Sequence, residues 1–273
     1  MRRSYSRTLL LAAPALALLV TGCATSRTAA EEEMAADLTA RATIVPATQA
    51  ERQAIRTQDL LTQAAFWAEA HELNPADREA ALELSTVLRR LGSARQAAET
   101  ARQSMALFPA DPDILYAYGA ALTADGRGTA AIEPLVRADA LRPNDWRIQN
   151  ALGVAYESAN MRDQARARFR TAMTLAPGEA SILSNLALSH AMAGEPEEAE
   201  RLLREAIARP GADATVRQNL ALVIALQGRF EEAESMARVD VSPRVAEANL
   251  AYVRSMLTSQ RRWDAIRGDD GAR

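Results

Sequence analysis

The 273-residue chain contains one cysteine, Cys23, so it can form neither an intramolecular disulfide nor a cysteine-rich metal site. Histidine is almost as scarce. His71 and His190 stand far apart in sequence and leave little from which to build a zinc site or a Cys/His nucleophile pair. Aromatic residues make up 4% of the chain against 48% for the whole hydrophobic class, and alanine and leucine fill most of the difference. That balance suits close-packed helices and argues against a β-sandwich. Lysine is absent, so all 32 basic residues are arginine, which we read as codon bias because either cation serves a solvated helix face. A net charge of −3 provides no basic footprint for nucleic acid. No glycine-rich phosphate loop, metal-ligand spacing or serine elbow occurs. No catalytic residue, metal or cofactor is therefore expected, and the chain reads as a non-enzyme. The enzyme alternative, a hydrolase built on scattered carboxylates, has no site geometry to support it.

What is present is a period. A helix-breaking residue recurs at Gly92, Gly126, Asn160, Gly194 and Gly228, each 34 residues after the last, and five residues beyond each stands Ala97, Ala131, Ala165, Ala199 or Ala233. A fixed period of this size marks a solenoid of helix pairs that bury their apolar faces against their neighbours. Prolines at 75, 109, 143 and 177 keep the same spacing, and Pro210 arrives one residue early. One copy reads Leu152-Gly153-x-x-Tyr156, then Ala165-x-x-x-Phe169, Ala172 and Pro177. It resembles the tetratricopeptide repeat, with Gln149 where that pattern begins on tryptophan. The expected fold is all-α, a tetratricopeptide-repeat solenoid of about six helix pairs over residues 46–243. The first pair is degenerate, its second helix running through Leu60, Trp67 and Leu73. Pro134 should bend or shorten the helix that contains it. A capping helix is expected over 244–258, with Val245, Ala248, Leu250, Tyr252, Val253 and Leu257 as its apolar face. A polar tail follows over 259–273, with Trp263 as its candidate for docking against the repeats. The pairs Glu197-Glu198 and Glu231-Glu232 open second helices, where the dipole favours negative charge. His190 takes the inward packing place of Tyr156, and His71, near a helix end, favours the dipole when charged.

Residues 1–22 read as an export signal. Arg2, Arg3 and Arg7 form a basic start, Thr8 to Val20 is largely apolar, and the segment ends Val20-Thr21-Gly22-Cys23. This ending resembles the bacterial lipobox, which implies acylation of Cys23 with fatty chains such as palmitate. Because Ala24 follows, rather than aspartate, the resemblance implies sorting to the outer membrane, on its periplasmic face. Several acyl chains, at about 0.8 kcal/mol per buried methylene, would hold the protein there effectively permanently. Residues 23–45, with the run Glu31-Glu32-Glu33, read as a flexible tether.

Tetratricopeptide arrays line their concave face with the first helix of each pair. On that face we expect Tyr116 from the third unit and Arg147, Asn150 and Val154 from the fourth. Asn185, Leu188 and Met192 follow from the fifth, and Gln218, Asn219 and Leu222 from the sixth. In related arrays an asparagine there hydrogen-bonds the main chain of a bound peptide, although an amide is equally satisfied by water or a neighbouring group. A clamp for a peptide's terminal carboxylate would need basic residues one turn before Asn185 and Asn219, where Ser181 and Thr215 stand.

The resemblance extends past the generic repeat. The runs Arg217-Gln218-Asn219-Leu220-Ala221-Leu222-Val223, Gln227-Gly228-Arg229-Phe230-Glu231-Glu232-Ala233-Glu234 and Ala246-Glu247-Ala248-Asn249-Leu250-Ala251-Tyr252-Val253-Arg254-Ser255-Met256-Leu257, with Arg262-Trp263 and the lipobox, resemble the TadD-like tetratricopeptide lipoproteins of the tight-adherence (Flp) pilus assembly system. The likeness implies a protein-binding scaffold for Flp/Tad pilus biogenesis. Its expected partners are the secretin or other pilus-assembly subunits, and the membrane through the lipid on Cys23. The alternative is a general envelope tetratricopeptide lipoprotein that serves as adaptor for peptidoglycan enzymes or barrel assembly.

Overall fold

The structure, a computed structural model, describes residues 28–41 and 47–257. Cys23, the export signal and Trp263 lie outside the described residues. Among the described residues there are fourteen helices: α1 (Ala29–Arg41), α2 (Gln49–Ile55), α3 (Leu60–Leu73), α4 (Arg78–Arg90), α5 (Ala94–Leu107), α6 (Pro112–Ala124), α7 (Gly128–Leu141), α8 (Trp146–Ser158), α9 (Arg162–Leu175), α10 (Ala180–Met192), α11 (Pro196–Ile207), α12 (Ala214–Leu226), α13 (Phe230–Ala237) and α14 (Pro243–Leu257).

Their ends follow from local chemistry. Asp77, Asp111, Asp145 and Asp213 precede α4, α6, α8 and α12, and each carboxylate accepts a backbone N–H of the first turn. A cap of this kind contributes about 1 kcal/mol. Between the helices of a pair the chain turns back through a left-handed residue, at φ of 60° for Asn160 and 76° to 81° for Gly92, Gly126, Gly194 and Gly228. Only glycine, or asparagine at some cost, takes that conformation readily. The 34-residue spacing is therefore a spacing of helix stops.

From α2 onward each helix packs against the next, and α4, α6, α8, α10, α12 and α14 also touch one another in series, forming an inner layer. The seam within a pair depends on complementary sizes. A Cβ on Gly153 of α8 would lie 2.3 Å from the fully buried ring of Phe169 on α9, and one on Gly119 of α6 would lie 2.4 Å from Leu135 on α7. Gln149, in place of the pattern's tryptophan, is buried. It donates to Asp139 at 2.5 Å and accepts from Arg168 at 2.9 Å, so a polar cluster fills the space of an indole.

Several expectations are corrected. Within the expected tether, residues 29–41 form α1, which docks on α5 with Ala35 and Leu38 buried. Thr28 and Glu31 cap its start reciprocally, at 2.7 and 3.2 Å, and its alanines and glutamates favour helix. Pro134 does not shorten α7, which has the same 14 residues as α5 and α9. On α14 the buried side chains are Ala246, Leu250 and Val253, one helical face, while Val245 and Tyr252 are exposed. His71 is buried, and burial, opposed by the charge of Asp77 and a hydrogen bond to Gln103, pushes its imidazole below the ordinary value. It is neutral near pH 7 and does not serve as a charged partner of the helix dipole.

Candidate functional site

The inner layer presents its side chains at helical spacing, so residues three, four and seven apart share the concave face. Tyr116, Arg147, Asn150, Val154 and Asn185 come together around one cavity of about 290 Å³, with Arg89, Thr123 and Ser158 on its wall. Gln218, Asn219 and Leu222 line a second cavity of about 410 Å³, closed on its far side by Asn249, Leu250, Tyr252 and Val253 of α14. The capping helix therefore leans over the end of the inner layer and bounds the groove there. Leu188 and Met192 line neither cavity, and Met192 is exposed.

The asparagines are partly satisfied from within. Asn185 donates to the Asn150 carbonyl oxygen at 3.0 Å, and Asn219 donates to the Ser184 hydroxyl at 2.9 Å. Both contacts join residues 35 apart, one more than the repeat, because each inner helix reaches its neighbour one position along. An amide has two donors and an acceptor with two lone pairs, so each asparagine retains capacity toward a ligand.

Charge along the groove is ordered. Arg147 holds Asp145 at 2.6 Å, and that hydrogen bond, outweighing burial, lowers the Asp145 carboxyl to about 2. Asp113 is held by Arg142 at 2.7 Å and by Arg78 at 2.6 Å, and Arg142's hydrogen bond leads in keeping its carboxyl below the ordinary range. His190, largely buried at the place of Tyr156, sets its Nδ1 against Glu195. Among the described residues no group of three or more His, Cys, Asp or Glu side chains could hold a metal ion. Sequence reasoning missed Arg89, Thr123 and Asn249. Arg89 and Thr123 lie 34 apart at the end of α4 and α6, on the face that also carries Tyr116. Following that face to the last turn of each inner helix would have reached them.

Family models described as tetratricopeptide repeats match residues 82–145, 180–209 and 214–238. Among curated proteins nothing matches the chain. Of solved structures, a thermophilic tetratricopeptide-repeat protein of Thermus thermophilus is 23% identical with a TM-score of 0.57, over 64% of this chain and 98% of that one. Pseudomonas aeruginosa pilF is 18% identical with a TM-score of 0.50, over 76% of this chain and 90% of that one. At such identities the likeness is one of fold. The chain is a tetratricopeptide-repeat protein, an all-α protein-binding scaffold.

Proposed function

We propose that this scaffold is anchored to the outer membrane through lipid on Cys23, facing the periplasm, and serves Flp/Tad pilus biogenesis by assisting assembly or localisation of the secretin complex. The observation that carries the reading is where the family-like segments fall. The runs 217–223 and 246–257, whose order resembles the TadD-like lipoproteins, supply both walls of the 410 Å³ cavity between α12 and α14. Residues that only packed the solenoid would not need to meet at an open cavity. Beside it, the asparagines of α8, α10 and α12 supply amide groups to an extended partner segment, the mode by which a pre-formed surface collects many weak contacts. No helix among the described residues is long and apolar enough to cross a membrane, so membrane attachment in this reading rests on the acyl chains.

The function is tested by deletion followed by blotting for secretin multimers, which should fall together with pilus output. Normal multimers and normal pili would refute the assignment. A palmitate analogue should label the wild-type chain and not Cys23→Ala, and label on the variant would refute the anchor. Replacing Asn185 and Asn219 together by alanine should weaken capture of the secretin at least about tenfold, on the order of one hydrogen bond each, with helicity retained. Unchanged capture would remove these residues from the site.

A further inference from the structure

Arginine is plentiful in this chain, and nearly all of it that leaves bulk water is paired. Arg52, Arg78, Arg142, Arg168 and Arg217 are buried or half-buried, and each holds at least one carboxylate. The same is true of every other half-buried arginine among the described residues except Arg89. Arg90, Arg95, Arg127, Arg170 and Arg244 also lack a carboxylate, and all five are exposed to water. Arg89 is half-buried with no carboxylate of its own chain paired to it, so its charge is left for a partner outside the fold.

Placement makes Arg89 more than an imperfectly packed residue. It closes the last turn of α4 and lines two adjoining cavities of the inner layer, of about 290 and 180 Å³. The larger has no carboxylate in its wall, and offers the Tyr116 phenol, the Asn150 and Asn185 amides and the Arg147 guanidinium. The smaller includes Asp113, already held by both Arg78 and Arg142. Arg147 brings its own carboxylate, Asp145, so that pair is neutral and Arg89 is the uncompensated charge. Favourable placement at a helix C-terminus accounts equally for Arg90 beside it, which faces water. It does not account for a cation turned into a cavity.

We infer that the α4–α6–α8 part of the groove binds the carboxylate side chain of an acidic residue in an extended peptide segment, with Arg89 as its ionic partner and Tyr116 and Asn150 beside it. The inference rests on reading the groove as a peptide site. Its basic group stands in the second repeat, away from the turn before Asn185 and Asn219 where Ser181 and Thr215 lie.

The test is selection of random short peptides, displayed with blocked C-termini, on the full-length mature chain. The enriched peptide is then synthesised with its acidic residue intact, with Glu→Gln or Asp→Asn, and with a free or amidated terminus. Acidic peptides should dominate, and neutralising the acid should weaken binding about tenfold or more, as for a charge-assisted hydrogen bond. Arg89→Gln should weaken binding by the same factor, the two changes together should cost no more than either alone, and Arg90→Gln should bind as wild type. Selected peptides without acidic residues, or equal binding to Arg89→Gln and wild type, would overturn the inference while leaving the groove a peptide site. Loss of binding on amidation alone would assign the carboxylate to a chain terminus and overturn the side-chain form. If no peptide is enriched at all, the groove reading and this inference fall together. The peptide arms use the wild-type protein, so the inference stays falsifiable even if Arg89→Gln fails to fold.

Discussion

Gly153→Ala is the sharpest probe of how the repeats are packed. Alanine is favoured over glycine inside a helix by about 1 kcal/mol, so propensity alone predicts stabilisation. The added methyl, however, would lie 2.3 Å from Cε1 and 2.5 Å from Cδ1 of the Phe169 ring, which is 1% exposed and has nowhere to go. Overpacking of that kind costs about 1 to 3 kcal/mol, and the net expectation is a loss of about 1 kcal/mol. The neighbouring repeats show the remedy, since Ala187 stands with Leu203, and Ala221 with Ala237, at the same two places. Phe169→Leu alone should cost about 1 to 2 kcal/mol through the space it leaves. Gly153→Ala/Phe169→Leu should cost at least about 1 kcal/mol less than the two single changes summed, a coupling expected of residues in contact. The assay is urea unfolding of the four proteins followed by helical circular dichroism, with hydrogen exchange of α8 and α9 amides to locate the change, because repeat arrays need not unfold in one step. Stabilisation by Gly153→Ala, or strict additivity, would refute the packing argument.

Three further outcomes follow from charge and burial. His71 is held below its ordinary value of 6.5, so the unfolded chain binds a proton that the folded chain refuses as pH falls below 6.5. Stability should then drop by at most about 1.4 kcal/mol per pH unit, and His71→Phe should flatten that slope in denaturation at stepped pH. Asp145 is held at about 2 against an ordinary 3.8, so its contribution is present above 3.8 and lost as pH falls toward 2; Asp145→Asn should remove its share of the acid limb of the stability curve and leave that of Asp77, Asp111 and Asp113. Arg52→Gln should release α2, because Arg52 bonds Asp77 and Glu79 from within and lies 5.7 Å from the Trp67 ring centroid. Amides of residues 49–55 should lose protection, with a local cost of about 3 kcal/mol, while those of α8 to α12 stay protected.

Much of this architecture was legible because a repeat writes the same constraint many times. Gly92, Gly126, Asn160, Gly194 and Gly228 each end a helix with positive φ, and a backbone requirement of that kind leaves a residue-type signature. The start of α1 left one as well, in Thr28 and Glu31 three residues apart, but its weakly patterned alanines and glutamates give no facing direction. What fixes that helix is contact with α5, a tertiary fact absent from local spacing. Tyr116, Arg147, Asn150, Val154 and Asn185, set on one face by helical spacing, line one cavity. The pairing of Asn185 with Asn150 was not legible, because it depends on how far one inner helix is offset against the next. Arg89 was not legible, since a basic pair at a helix end has a ready explanation in the dipole, and what separates it from Arg90, which also lacks a carboxylate, is its half-buried place in the cavity wall.

The docking of α1 on α5 also bears on the order of folding. Among the described residues the other helix packing joins helices one or two apart in order, so each pair can close soon after its own residues meet, and a topology of such low contact order assembles quickly. α1 breaks that rule, for its binding surface does not exist until α5 has formed. The earliest of the described helices in sequence is thus a late one to settle, and a fluorescent label beside Met34 should report a slower phase than one placed in α9.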